Sequence, residues 1–435
     1  MIATSALRPL AHRNFALLWT ASLVSNVGSW MQTVAVGALV ISRTGQPSWA
    51  VLVAAGAFLP IGLLSPIGGA LADRIARRPV IAGGNVAAGL IAAAIAMLVA
   101  GGHDGPSGLL GLVTLQGAVS ALIGPFTQAI LPDLVPRSEF LAASSLNSAQ
   151  WNAGRIVGPA LAGATVAAFG FAASFAANAV SFLAVVIAVL FVRLAPPPGG
   201  EPGLLRSMRS GWQAALAQPS CRASILAIAV VAFLAAPFIA LLPAMALHVT
   251  PHGSGQAVAA ATAALTTAQG AGAVLGAFVL PPLAQRIGRG PALAWSLALL
   301  PLALAGYGAA RTLWWAVAGL FVVGLVYMGV LSGLQTVAQL FAPAAYRGRI
   351  LSFFLVALGV AYPIGALAQG PVADHLGVGV TTVGSAVVLT LAGLLAWWRG
   401  PALARALTSG DPARPGPAPE PATEGEPCDE AACPA

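Results

Sequence analysis

A lone arginine, Arg155, stands in the middle of a long apolar stretch, where a charge is costly unless it faces a cavity or a partner. Asn147 and Trp151 precede it by eight and four residues, so the three side chains share one face if the stretch is helical. A guanidinium in this position can bind an anionic or carbonyl-rich ligand. It can equally form a structural pair with polar groups of a neighbouring helix, and both roles stay open.

Further polar residues lie at similar depth in other apolar stretches. Each one alone is explained at least as well by a hydrogen bond between helices, because an apolar environment offers no water to satisfy it. Together with Asn147, Trp151 and Arg155 they predict the polar lining of a substrate cavity. These further candidates are Asn26, Gln32, Gln116, Gln269 and Gln335.

The elements that carry these residues are membrane helices. The 435 residues are 58% hydrophobic and only 7% charged, with a mean hydropathy of +0.88, which excludes a soluble domain. Apolar runs of about 20 residues must be helices in lipid, because a helix satisfies its own backbone groups. Twelve such runs are expected. They are Phe15–Ile41, Ala50–Ala72, Val80–Ala100, Leu109–Ile130, Leu141–Phe169, Ala172–Val192, Ile225–His248, Ala257–Leu283, Ala292–Ala310, Leu313–Leu340, Ile350–Ala373 and Val380–Trp398.

The runs form two sets of six, which predicts an all-α membrane protein of two pseudo-symmetric six-helix bundles. A proline-rich segment that ends in an amphipathic pattern separates the sets. The predicted order is a cytoplasmic N-terminus (1–14), a first bundle (15–192), a cytoplasmic linker with an amphipathic helix (193–222), a second bundle (223–398) and a cytoplasmic, mostly disordered tail (399–435).

The arginines predict the orientation of the chain. All 20 basic residues are arginine; Arg43 and Arg311 fall on one side of the membrane, Arg155 lies within a span, and the others fall on the opposite side. The positive-inside rule therefore places both termini in the cytoplasm of a multi-pass protein in the cell membrane. The formal charge of +8 reflects this topology, so no nucleic-acid partner is expected.

The densest charge cluster is the turn GALADRIARR between the second and third spans. It contains Gly69, Asp73, Arg74, Arg77 and Arg78, and a weaker copy recurs at 284–289 between the eighth and ninth spans. In that copy Gln285 stands where the first copy has Asp73. Matched landmarks in the two halves indicate an internal repeat around a central site.

The turn resembles the signature of the major facilitator superfamily between its second and third spans, with Ala76 replacing the usual second glycine. The resemblance implies alternating access, in which this turn latches the halves together in the outward-facing state. Gly69 then permits close backbone approach, Asp73 meets a helix N-terminus, and the arginines pair across the halves.

A second motif lies in the fifth span, where Gly154, Gly158, Pro159 and Gly163 resemble the superfamily's antiporter motif, with Ala162 as the departure. Glycines four apart allow close helix packing, and the proline removes a backbone hydrogen bond. The motif favours an exporter over an importer. Residues 15–55, 130–163 and 346–354 resemble the enterobactin-exporter-like branch, which implies efflux of siderophores, macrolides or other amphipathic molecules.

Energy coupling is the weakest prediction, because no Asp or Glu lies inside a predicted span. The resemblance implies proton antiport, for which Asp133 and Arg155 are the candidates. No cofactor or metal site is expected, and the loops carry no catalytic motif. The expected partners are a small-molecule substrate and the lipid bilayer, with the chain as a monomer. The alternatives are an importer of a small metabolite and a non-transporting membrane scaffold or sensor.

Overall fold

The structure, a computed structural model, describes residues 7–72, 74–192, 212–213, 215–343 and 346–399. This part of the chain is helical, with twelve long helices in the predicted order. They are α1 (Arg13–Thr44), α2 (Pro47–Ala72), α3 (Arg77–Ala100), α4 (Pro106–Ala129), α5 (Phe140–Phe169), α6 (Phe171–Phe191), α7 (Pro219–Val249), α8 (Gly255–Ile287), α9 (Arg289–Gly308), α10 (Leu313–Phe341), α11 (Arg347–Leu376) and α12 (Val378–Arg399). Each helix overlaps the predicted span of the same number, which confirms the all-α fold class.

Helix α7 differs from the expected continuous span. It consists of a helix Pro219–Leu234, a 3₁₀ turn Ala236–Phe238 and a helix Leu242–Val249. Pro237 and Pro243 have no backbone N–H to donate, and each lies at the start of a new helical piece, where that missing donor is tolerated. The helix also begins at Pro219, inside the segment expected to be the linker.

Eleven of the described helices are long and apolar enough to cross a membrane, and α5 is the long helix that fails on composition. Its first half carries serines, asparagines and a glutamine in addition to Arg155. A helix with that composition is unstable against lipid and needs polar or aqueous surroundings inside the bundle. The exceptional helix is thus the one that carries the candidate site.

The packing of the helices repeats between the halves. In the first half, α2 packs on α4, α3 on α6, and α1 on α5. The corresponding pairs of the second half are α8 on α10, α9 on α12, and α7 on α11. The halves meet along two main seams, one between α5 and α8 and the other between α2 and α11. The repeat that relates the two halves turns one seam into the other. Each half is therefore a six-helix bundle, and the seams are the two places where one bundle can move against the other.

We call the end of the bundle that holds the α2–α3 turn the proximal end, and the opposite end the distal end. At the distal end the α2–α11 seam is closed: the Ser48 N–H donates to Asp374 Oδ1 at 2.9 Å, and a Cβ at Gly370 would lie 3.1 Å from Ser48 Cα. Midway, a Cβ at Gly62 would meet Val360 at 3.2 Å. One at Gly69, two turns further, would meet nothing within 4 Å. Among the described residues the α2–α11 seam is therefore close-packed at its distal end and open at Gly69.

The segments outside the helices are only partly described. Residues 1–6, 193–211 and 400–435 lie outside the described part, and so do most of the expected amphipathic helix and the tail. Of the linker, Trp212 packs edge-to-face on Phe353 of α11, with ring centroids 5.1 Å apart. This end of the linker is thereby attached to the second half.

Candidate functional site

Arg155 lies at the middle of α5, on the seam with α8. It is partly buried, and its Nη2 donates a hydrogen bond to Oε1 of Gln269 at the middle of α8. Directly beside this bond the helices touch, because a Cβ at Gly270 would lie 3.2 Å from Ile156. The bond therefore joins the two halves halfway between the ends of the bundle.

Two indoles complete the first-half side of this site. The Arg155 Cζ lies 6.0 Å from the centroid of the Trp30 ring, within range of a cation–π interaction. Trp151, one turn before Arg155, packs edge-to-face on Trp30 with centroids 6.0 Å apart. Trp151 is 57% exposed, so one indole face remains available to a ligand. Arg155 thus contacts Gln269 directly and Trp151 through Trp30.

Two tyrosines that sequence reasoning missed complete the second-half side. Tyr327, buried at the middle of α10, lies near Arg155 and near Tyr362 of α11. Tyr362 packs edge-to-face on Phe58 of α2, with centroids 5.8 Å apart. When Gly163 and Gly370 are aligned between the repeats, Tyr362 occupies the position of Arg155. That alignment is the signal by which the sequence alone could have identified Tyr362.

The charge of Arg155 has no counter-charge within the described part of the chain. The ion pairs found there are His12–Glu139, Arg43–Asp104 and Arg77–Asp133. Among the described residues, the amide Nε2 of Gln269, which bonds Arg155 through its oxygen, is buried without a hydrogen-bond partner, and in α11 the phenol of Tyr362 is too. Unsatisfied buried donors beside an uncompensated cation are costly, and a ligand with acceptor atoms would relieve that cost.

Three other predicted cavity residues are hydrogen-bonded within the first half. Asn26 Nδ2 donates to the Gln150 carbonyl at 3.1 Å, which ties α1 to α5. Gln32 donates to Gln116 at 2.6 Å and accepts from Asn178 at 2.7 Å, which ties α1 to α4 and α6. All three predicted residues are buried in bonds within the first half, so the structure assigns them a structural role. Sequence reasoning missed Asn178, the fully buried third member of this network.

The remaining two cavity candidates are accessible. Asn147 is exposed on α5, two turns proximal to Arg155 on the face that also carries Trp151. Gln335 is partly buried in α10, about two turns proximal to Tyr327. Both lie on the proximal side of Arg155.

The latch residues occupy the proximal end, and Asp73 lies outside the described residues. Arg77, whose side chain is 8% exposed, donates from Nη1 to Asp133 Oδ2 at 2.8 Å and to the Ala129 carbonyl at 3.1 Å. Arg78 donates to the Leu190 carbonyl, and Arg74 is exposed. Arg77 and Arg78 thus bond within their own half. Among the described residues, no hydrogen bond joins Arg77 or Arg78 to the second half, and a Cβ at Gly69 would meet nothing within 4 Å.

Asp133, expected as a proton-coupling residue, lies in the short helix Leu131–Leu134 that follows α4. Its ion pair with Arg77 gives it a structural partner, and its side chain is 27% exposed. It lies at the proximal end, far along the bundle from Arg155. The two proton-coupling candidates therefore belong to different parts of the molecule.

The antiporter-like motif brings α5 against two neighbours. A Cβ at Gly154 would lie 2.8 Å from Asn26 Cγ, and one at Gly158 would lie 2.8 Å from the Val27 carbonyl oxygen, so both glycines allow α1 to approach. A Cβ at Gly163 would lie 2.9 Å from Ala263 of α8, and Pro159 is buried within α5. The motif therefore packs α5 within its half and, at Gly163, across the seam.

Within the described residues no group of three or more His, Cys, Asp or Glu side chains could hold a metal ion. Cys221 is a buried free thiol, and Cys428 and Cys433 lie outside the described part. The polar groups of the central site are a guanidinium, an amide and phenols. Their chemistry is that of ligand binding.

Two pseudo-symmetric six-helix bundles with a polar site at their interface define a membrane transporter of the major facilitator type. The model of a family described as transmembrane secretion effectors matches residues 4–412, and the chain belongs to this family. It is a multi-pass membrane transporter, and its function is transport rather than enzymatic catalysis.

Several relatives carry efflux names. The chain is 26% identical over 397 residues to the multidrug efflux pump Tap of Mycobacterium tuberculosis (87% of this chain, 92% of Tap). It is 27% identical over 224 residues to the enterobactin exporter EntS of Shigella flexneri (48% of this chain, 51% of EntS). A bacterial homologue of the lysosomal transporter Spinster, inward-facing and unoccupied, has the same fold: TM-score 0.71 at 16% identity, covering 92% of this chain and 99% of that one. The predicted superfamily and branch are confirmed.

Proposed function

We propose that the protein exports an amphipathic small molecule, such as a siderophore or an antibiotic, by alternating access of its two halves. The observation that carries the proposal is Arg155. It forms no ion pair with a carboxylate of the described residues, and it lies at the seam between the halves, midway along a bundle that opens at one end. A charge at that depth is expected where a ligand meets it.

The orientation and direction follow from the distribution of arginines. All arginines outside the spans, except Arg43 and Arg311, belong to proximal segments by helix alternation, so the proximal end and both termini face the cytoplasm of the cell membrane. Substrate then enters from the cytoplasm or the inner leaflet through the open proximal end. The efflux names of Tap and EntS support outward transport. The chain acts as a monomer, because each seam lies within one chain.

Alternating access requires that the contacts of one end break as those of the other end form. We assign residues 15–192 and 223–398 to the two moving units, joined by the linker 193–222 and flanked by the segments 1–14 and 399–435. In the outward-facing state the Ser48–Asp374 bond is lost. The α2–α3 turn, with Gly69, Asp73 and Arg74, then closes on the second half.

Proton entry drives the exchange in this proposal. Asp133 is a partly exposed carboxylate whose pairing with Arg77 holds the α2–α3 turn against the end of α4. Asp133 and Arg155 are the two residues to which we assign the coupling of transport to proton entry. Arg155 contributes by holding the substrate until the halves have moved.

Transport by the full chain in proteoliposomes, with an imposed pH gradient and a panel of siderophores and antibiotics, tests the proposal. We expect flux of at least one compound out of the compartment that the proximal end faces, slowed when the gradient is collapsed and lost in Arg155→Gln. Arg311→Gln is the matched control, since it removes the same charge from an exposed position. Full flux after the pH gradient is collapsed would contradict proton coupling. Flux in the opposite direction, into the compartment that the proximal end faces, would indicate an importer. Absence of flux for every compound would favour a scaffold or sensor.

A further inference from the structure

The hydrogen-bonding groups of the central site are mostly donors, which specifies the kind of molecule that fits. We propose that the site selects anionic amphipathic molecules rich in acceptor oxygens, such as carboxylates or phenolates with a planar aromatic part, over cationic ones. This inference rests on the proposed transport function and names the substrate class of the same site.

The donor character of Gln269 follows from its partner. A guanidinium donates hydrogen bonds and accepts none, so the amide group that faces Arg155 must be the oxygen. The Nε2 group, with two N–H donors, is then left on the other side of a side chain that is 1% exposed, and it has no partner among the described residues. Rotating the Gln269 amide by about 180° would not satisfy its N–H groups, because they would then face the N–H groups of Arg155. Only a group that accepts hydrogen bonds can therefore satisfy the free N–H groups of Gln269.

The other groups add to this requirement. Arg155 uses Nη2 for Gln269, which leaves further N–H donors of the guanidinium for a ligand. The Tyr362 phenol is buried without a partner and can donate to an acceptor. The described part of the chain places no carboxylate in an ion pair with Arg155, so a negative ligand supplies the missing counter-charge. A cationic ligand would face the guanidinium with no protein carboxylate to compensate.

The aromatic groups determine the rest of the ligand. Trp30 lies beside the guanidinium and Trp151 presents an exposed indole, so a planar ring can stack next to the anionic group. Phe58 and Tyr362 bring a second aromatic pair from the α2–α11 seam. The cationic centre thus lies beside aromatic, apolar surface of the first half.

The test uses two dyes of one xanthene scaffold and opposite charge, fluorescein and rhodamine 123. Their binding to the full chain in nanodiscs is measured by fluorescence anisotropy. We expect fluorescein to bind more tightly by roughly tenfold or more, the range of a hydrogen bond to a charged group. Arg155→Gln should lose this preference, and Arg311→Gln should keep it.

Gln269→Glu is the sharper variant, because it places a carboxylate of the same shape against Arg155 and neutralises the site. We expect it to abolish fluorescein binding and to raise rhodamine 123 binding, which a purely structural role of Gln269 would not produce. Equal affinities in the wild type, preference for rhodamine 123, or no fluorescein binding at about 1 mM would overturn the inference. Transport of rhodamine 123 but not of fluorescein would support export and overturn the inferred preference for anionic ligands. Fluorescein binding without transport of any compound would contradict the proposed export but support the inferred ligand class.

Discussion

The distal contact between Asp374 and α2 should bias the protein towards the conformation described above. Ser48 is the second residue of α2, so its N–H is one of the first-turn groups that have no partner within the helix. Asp374, near the end of α11, supplies a carboxylate acceptor at 2.9 Å from the other half. The contact exists only while the distal end is closed, so it stabilises that state over the outward-facing one.

The size of the bias follows from the kind of contact. Asp374 is exposed, and a carboxylate at an exposed helix N-terminus contributes about 0.3–1 kcal/mol. Asp374→Asn removes the charge and leaves a weaker amide acceptor. At about 1 kcal/mol, the ratio of distally closed to distally open protein should fall roughly fivefold.

Double electron–electron resonance in nanodiscs measures that ratio, with spin labels at Gln46→Cys and Leu376→Cys, both exposed at the distal end, in a background without the natural cysteines. Asp374→Asn should increase the population at the longer distance. Asp104→Asn is the matched control, because it removes a carboxylate at the same end whose partner, Arg43, belongs to the same half. An unchanged distribution in Asp374→Asn, or an equal shift in Asp104→Asn, would refute the reasoning.

Three further variants test the packing described above through thermal stability in detergent. Gly158→Ala forces a Cβ towards α1 and should cost about 1–3 kcal/mol, while Gly111→Ala, with nothing within 4 Å, should be neutral or stabilising; equal effects would contradict the close approach. Asp133→Asn leaves a buried arginine without its counter-charge and should lower the melting temperature more than Asp104→Asn; the reverse order would contradict the pairing. Gln32→Leu breaks a buried amide network and should lower the free energy of unfolding by about 1–3 kcal/mol without changing fluorescein affinity. If fluorescein affinity fell while stability was unchanged, Gln32 would be a ligand-binding residue instead.

The spans were predictable because the physics that forms them is local. Lipid requires that each backbone segment satisfy its own hydrogen bonds, so an apolar run of sufficient length is a helix whatever its neighbours are. The direction in which a buried side chain points depends on the neighbours. Gln32 and Gln269 are both amides in the middle of spans, yet one lies within a half and the other on a seam. Composition and depth do not distinguish those positions.

The latch was predictable as a motif but not as a set of contacts. Arg77 bonds to Asp133 within its own half in the open conformation, although the family resemblance implies pairing across the halves in the other state. One sequence must supply contacts for both states, so a motif alone does not say which are made in a given structure. The break in α7 was missed because its apolar composition continues through the prolines.

The two seams between the halves differ in where their charged residues lie, so the two seams are suited to different roles. On the α2–α11 seam Asp374 meets α2 at the distal end, and in the sequence a second carboxylate, Asp73, directly follows α2. The repeat-related positions on the α5–α8 seam are Ala167 and Gln285, which carry no charge. That seam instead has its charge at the middle, at Arg155. Because electrostatic contacts at helix ends can break and re-form as the ends separate, the α2–α11 seam is suited to set which state dominates. The α5–α8 seam, with small residues at its distal part and Arg155 at its centre, is suited to hold the ligand while that exchange takes place.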